Sequence, residues 1–172
     1  MTTTAEITTN TLEAQGAVLT YDVRPADATT EPVLLLIGSP MGAGGFATLA
    51  SHFTDRTVVT YDPRGVERSI KADPATQSTP DQHADDLHRV IAAIGGGPVD
   101  LFASSGGAVN ALALVAAHPD DVRTLVAHEP PLASILPWLE QLPDAHLERI
   151  PNAGQLGWIA QEDKILGTLA AA

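Results

Sequence analysis

The sequence predicts an α/β fold in which a mostly parallel sheet carries helices on both faces. Three observations carry this. Short aliphatic runs stop abruptly at glycine or at Asp-Pro. Stretches with helical spacing separate those runs. Strand and helix then alternate at the interval a βαβ crossover needs.

The elements follow in order. Residues 1 to 10 are Thr-rich and read as a frayed lead-in. Leu12 to Arg24 holds two β-favouring stretches around Gly16, which fits a hairpin. Residues 25 to 32 are a turn. Val33 to Ile37 is aliphatic throughout, as a strand covered on both faces must be. A glycine-rich loop leads to a short helix, Phe46 to Phe53. Thr57 to Tyr61 is a second buried strand, ended by Asp62-Pro63-Arg64-Gly65, and a polar loop follows. Thr79 then suits the cap of a helix, Pro80 its first position and Asp81 its dipole. Ala84, Leu87, Val90, Ile91 and Ile94 recur at helical spacing, and Gly95 to Gly97 stop the helix.

Val99 to Ala103 is a third strand, Gly106 to His118 a helix of small residues closed by Pro119, and Val122 to Ala127 a fourth strand. Leu132 to Gln141 reads as a crossover helix and His146 to Ile150 as a strand beside Val122 to Ala127. Leu156 to Leu169 is a last helix. The whole, residues 1 to 172, reads as one domain.

Composition narrows the function. Of 172 residues, 44% are hydrophobic and 17% charged, which argues for a packed core. The net charge of -12 opposes binding to nucleic acid or to an anionic membrane. Cysteine is absent, so disulfides, thiol catalysis and thiolate metal sites are excluded. The N-terminus lacks a basic segment followed by an apolar one, so the expected location is cytoplasmic. No cofactor is expected. The Gly42 to Gly45 loop has neither G-x-x-x-x-G-K-[ST] nor G-x-G-x-x-G, and no Lys or Arg is near.

The chemistry points to Ser105. Phe102-Ala103-Ser104-Ser105-Gly106-Gly107 spans a strand-to-helix junction. A nucleophile held on a sharp turn needs small residues two before and two after it, and Ala103 and Gly107 supply them. The alternative is a Ser-Gly turn that only begins a helix. His83, Asp86 and His88 share a helix; a metal site is conceivable there, but a solvated polar face is the expectation, with no metal bound. His52, His118 and His146 read as surface, and Trp138 and Trp158 as packing aromatics.

These motifs together resemble the α/β-hydrolase family over roughly residues 12 to 172. Ile37-Gly38-Ser39-Pro40 is similar to the H-G-x-P oxyanion segment, with Ile37 in place of His. Asp62-Pro63-Arg64-Gly65-Val66-Glu67-Arg68-Ser69 is similar to D-x-R-G-x-G-x-S, with Glu67 in place of Gly. His128-Glu129-Pro130-Pro131 resembles the exit of the family's sixth strand. Within the family the motifs most resemble those of cap-bearing bacterial esterases and lactonases. The resemblance implies a small ester or lactone substrate and Ser105 as nucleophile. It also implies an oxyanion hole from the N–H groups of Gly106 and of Ser39 or Met41.

Departures from the family pattern are as telling. Gln155 falls where the family keeps its base His, and an amide cannot take the serine proton. Residues 132 to 145 leave room for neither a lid nor the seventh strand with its acid. The fold expected is therefore a reduced α/β-hydrolase, with weak or absent activity. Glu129 is a candidate orienting acid. His128 is a candidate base, against the simpler reading of a structural strand-end residue. The competing function is a non-catalytic scaffold or binding module, which a homodimer completing the sheet edge would suit.

Overall fold

A computed structural model describes residues 6–26, 29 and 31–131. The readings placed on residues 132–172 lie outside the described residues; among them are the Leu132 to Gln141 helix, the His146 to Ile150 strand and Gln155.

β1 (Thr8–Ala14) and β2 (Ala17–Arg24) form the hairpin around Gly16, whose φ of 71° a side chain would resist. β3 (Leu34–Ser39) leads through a 3-10 turn (Ala43–Phe46) into α1 (Ala47–Ser51). Then come β4 (Val58–Asp62), the two-residue β5 (Ile70–Lys71) and α2 (Pro80–Ala93). β6 (Val99–Ser105), α3 (Gly106–Ala117) and β7 (Val122–His128) complete the described chain. The sheet order is β1-β2-β4-β3-β6-β7, with β5 against β2. β4, β3, β6 and β7 run parallel, whereas β1, β2 and β5 add on antiparallel.

β3 lies between β4 and β6, and its four leading residues show why the chain folds this way. Leu34 and Leu36 face one layer, with Phe46, Leu49, Phe53, Val58 and Phe102. Leu35 and Ile37 face the other, with Leu87, Val90, Ile91, Ala108 and Ala111. All four β3 side chains are fully buried, and each such burial stabilises by roughly 1.5–3 kcal/mol. α2 begins with a reciprocal cap: Gln82 N–H donates to Thr79 Oγ1 at 3.3 Å and Thr79 N–H donates to Gln82 Oε1 at 3.0 Å.

Three expectations need correction. The lead-in is not frayed to residue 10, because Thr8, Thr9 and Asn10 already pair with Val23, Asp22 and Tyr21. The loop after β4 is not wholly irregular, since Ile70 and Lys71 pair with β2. Of His83, Asp86 and His88, the first two are not part of a solvated face, whereas His88 is partly exposed. Asp86 is fully buried and His83 is 9% exposed. Asp86 takes both forks of Arg64, at 2.7 Å from Nε and 2.6 Å from Nη2, and so ties α2 to the loop after β4. Burial pushes the Asp86 carboxyl up, while the same carboxylate holds Arg64 protonated. The two-pronged geometry requires a carboxylate facing a guanidinium, so the pair is ionised.

Candidate active site

Parallel pairing brings three strand ends into one row. Ser39 at the end of β3 is in register with Ser105, and Gly38 with Ser104. Ser104 is in turn in register with His128 at the end of β7. In open α/β sheets this carboxyl edge is where ligands bind.

Ser105 is the last residue of β6, and α3 starts at Gly106. Its backbone has φ 54° and ψ -126°, a conformation that L residues with side chains avoid. The small residues around it answer to β3 rather than to their own strand. A Cβ on Gly106 would stand 2.9 Å from the Ser39 carbonyl oxygen, and one on Gly107 2.8 Å from Gly38 Cα. Glycine at both positions lets the start of α3 lie against the end of β3.

This geometry yields a stability prediction. The strained residue costs on the order of 1–3 kcal/mol. Its side chain makes no cap hydrogen bond to α3, so glycine forfeits no cap there. Glycine's extra freedom in the unfolded chain offsets roughly 0.5–1 kcal/mol. Ser105→Gly is therefore expected to stabilise by about 1 kcal/mol in urea unfolding. A lower midpoint would mean that the interactions of the serine side chain outweigh the strain of its backbone.

His128 is 6% exposed, with its ring centroid 5.9 Å from that of Phe102. Nδ1 lies 3.2 Å from Ser104 Oγ, and Nε2 has no hydrogen-bond partner among the described residues. Burial holds this imidazole below its ordinary pKa, with the neighbouring Glu129 carboxylate pulling the other way. Glu129 itself is half-buried, at φ 46°. Ser39, Ser105, Gly106, His128 and Glu129 thus gather at one edge. Met41 packs its side chain over Gly38 beside them. Gln155 lies outside the described residues.

Two supporting residues were not anticipated. Ser104 is the partner of His128. Asp62, fully buried, shapes the loops beside the site: it accepts from Ala43 N–H at 2.8 Å and from Arg68 Nε at 2.6 Å. A Cβ on Gly42 would stand 2.7 Å from its Oδ1, so this turn needs glycine. Ser69 Oγ donates to the Asp62 carbonyl at 2.6 Å and accepts from Thr20 N–H at 2.8 Å. The D-P-R-G…S stretch therefore works as a brace. A 310 Å³ cleft lined by Arg64, Gly65, Ser69, Ile70, Lys71 and Pro74 shares no lining residue with the elbow.

A mixed sheet with a parallel core and a strained serine between β6 and α3 defines a class of protein. Residues 31–152 match the family model of the alpha/beta hydrolase fold. The chain belongs to this family. It is 39% identical over 132 residues to an uncharacterized hydrolase, YraK of Bacillus subtilis, covering 76% of this chain and 47% of YraK. It is 33% identical over 123 residues to RutD of Caulobacter segnis, whose name gives carbamate hydrolysis as a provisional activity; this covers 71% of the chain and 43% of RutD. The chain thus spans less than half the length of these curated relatives. A Thermoplasma acidophilum hydrolase described as CIB-like shares the fold at TM-score 0.75 and 13% identity, over 96% of this chain and 97% of its own.

Proposed function

We propose that this chain carries a serine-hydrolase site for a small ester or lactone, with Ser105 as nucleophile. The observation that carries the reading is the Ser105 backbone at φ 54°, ψ -126° where β6 meets α3, at an edge where Ser39, Met41 and Glu129 are only partly buried. In the reaction, Ser105 Oγ attacks the acyl carbon and its proton passes to a base. The N–H groups of Gly106 and of Ser39 or Met41 stabilise the oxyanion, and the alcohol leaves with a proton. Water then releases the acid. The names of the relatives, all hydrolases, support the class and leave the substrate open.

The base is the weak link. Gln155 cannot accept the proton. His128 has a buried Nε2 without a partner among the described residues, and burial lowers the pKa of its ring, but it is in register with Ser104, one residue short of the nucleophile. A site lacking its base retains a residual ~10³–10⁴-fold advantage over water from oxyanion stabilisation and binding. Weak turnover is therefore the expectation. A fluorophosphonate probe tests the reading, because it reacts covalently with activated serines. One adduct at Ser105, absent in Ser105→Ala, is the expected mass spectrum. Slower labelling of His128→Gln would assign the base to His128. No adduct, together with equal aryl-ester turnover by wild type and Ser105→Ala, would favour the scaffold reading instead.

A further inference from the structure

Far from Ser105, the other end of α3 carries a second group of chemically active side chains. α3 begins beside the elbow and runs 12 residues, about 18 Å at 1.5 Å per residue, before His118 caps it. There His88 of α2, His118 and Asp121 each bring one potential ligand atom, all within 4.8 Å of one another. His88 Nδ1 is 2.6 Å from Asp121 Oδ2. The His88 and His118 rings lie 4.0 Å apart and nearly parallel, at 8°.

We propose that these three residues form a binding site for a zinc-class divalent cation. Two imidazoles and one carboxylate suit zinc, cobalt, nickel or copper and disfavour magnesium or calcium, which prefer all-oxygen shells. Three protein ligands leave the remaining position to water. Tetrahedral zinc with ligands near 2.0 Å needs them roughly 3.3 Å apart. His88 Nδ1 and Asp121 Oδ2, at 2.6 Å, must therefore part slightly to admit the ion, while the third ligand, within 4.8 Å, draws in by roughly an ångström. His118 supplies that movement. It is half-buried at the end of a helix, and turning its ring brings its lone pair toward the ion out of the parallel stack. On binding, the cation stands between His88 Nδ1 and Asp121 Oδ2, and the imidazole carries its proton on Nε2.

The backbone beneath is well held. His118 N–H donates to Leu114 O at 2.7 Å, and Asp121 N–H donates to His118 O at 3.1 Å. Pro119 stiffens the turn between them. The neighbouring guanidiniums are engaged elsewhere, Arg89 on Asp85 and Arg123 on Asp100. Among the described residues, no Lys or Arg therefore pairs with Asp121. With a net charge of -12, the protein as a whole also attracts cations.

The test titrates zinc chloride into chelator-treated full chain by calorimetry. One equivalent should bind with a Kd on the order of 10 µM, weaker than four-ligand structural zinc. His88→Ala and His118→Ala should each loosen it at least tenfold, as should Asp121→Asn, while His52→Ala leaves it unchanged. Both histidines are partly exposed, so circular dichroism should show these variants folded. Cobalt(II) should give visible absorption bands that His118→Ala removes. No heat up to about 1 mM zinc, or wild-type binding by both histidine variants, overturns the site.

Discussion

Asp86→Ala is expected to destabilise the protein by roughly 3–5 kcal/mol, the usual consequence of leaving one member of a buried ion pair without its counterion. Both members are out of water, with side-chain exposures of 4% for Arg64 and 0% for Asp86. Without the carboxylate, the guanidinium keeps, among the described residues, only the hydrogen bond to the Gln15 carbonyl, at 3.3 Å from Nη1. A guanidinium cannot escape by losing its proton. Against a typical total stability of about 5–15 kcal/mol the loss is large, and the melting temperature should fall by ~10 °C or more. The double variant Arg64→Met/Asp86→Leu separates the charge from the packing. Removing both charges in favour of apolar side chains should recover most of the loss. A single-variant cost below about 1 kcal/mol, or no recovery in the double variant, would mean that Arg64 reaches water when Asp86 is gone.

That pair also shows where the sequence was legible and where it was not. The elbow was legible because its causes are local. An apolar strand run, then Ala103, Gly106 and Gly107, state that two backbones pass closely; which backbone presses on them, that of β3, depends on sheet order. The Thr79 cap was legible too, and Gln82 three residues later carried the reciprocal half of the signal. The burial of His83 and Asp86 was open to a stricter reading. Both lie on the stripe of Leu87 and Val90, at offsets 0, 3, 4 and 7, and therefore point inward with it. The identity of Asp86's partner was not legible, because Arg64 stands 22 residues away and only the fold brings them together. The same holds for Ser104 and His128, joined by strand register across 24 residues. β5, only two residues long, has no pattern to detect.

His83 makes the fold acid-labile, and the effect is expected to be roughly 2.5 kcal/mol by pH 4.5. Burial, then the positive charges of Arg64 and Lys71, pull its pKa down from 6.5 to about 4. Its Nδ1 is buried without a partner among the described residues, so no hydrogen bond there stabilises an imidazolium. Because the folded value lies below the unfolded one, the unfolded chain binds the proton first. Stability is fully present above pH 6.5, falls through the window from 6.5 to 4, and bottoms out below it. At 1.36 kcal/mol per pH unit the complete loss is about 3 kcal/mol. His128, also held below its ordinary value by burial, adds in the same direction. Urea unfolding of wild type and His83→Leu at pH 7, 5.5 and 4.5 isolates the His83 share, since leucine fills similar space and does not titrate. The drop between pH 7 and 4.5 should shrink by about 2 kcal/mol in the variant. Equal drops in the two proteins would place His83 in contact with water or with an acceptor that takes its proton. Asp86 sharpens the test, because its carboxylate offsets the guanidinium that repels a charged His83. In an Asp86→Asn background the His83 imidazole C–H resonances should titrate at still lower pH than in wild type.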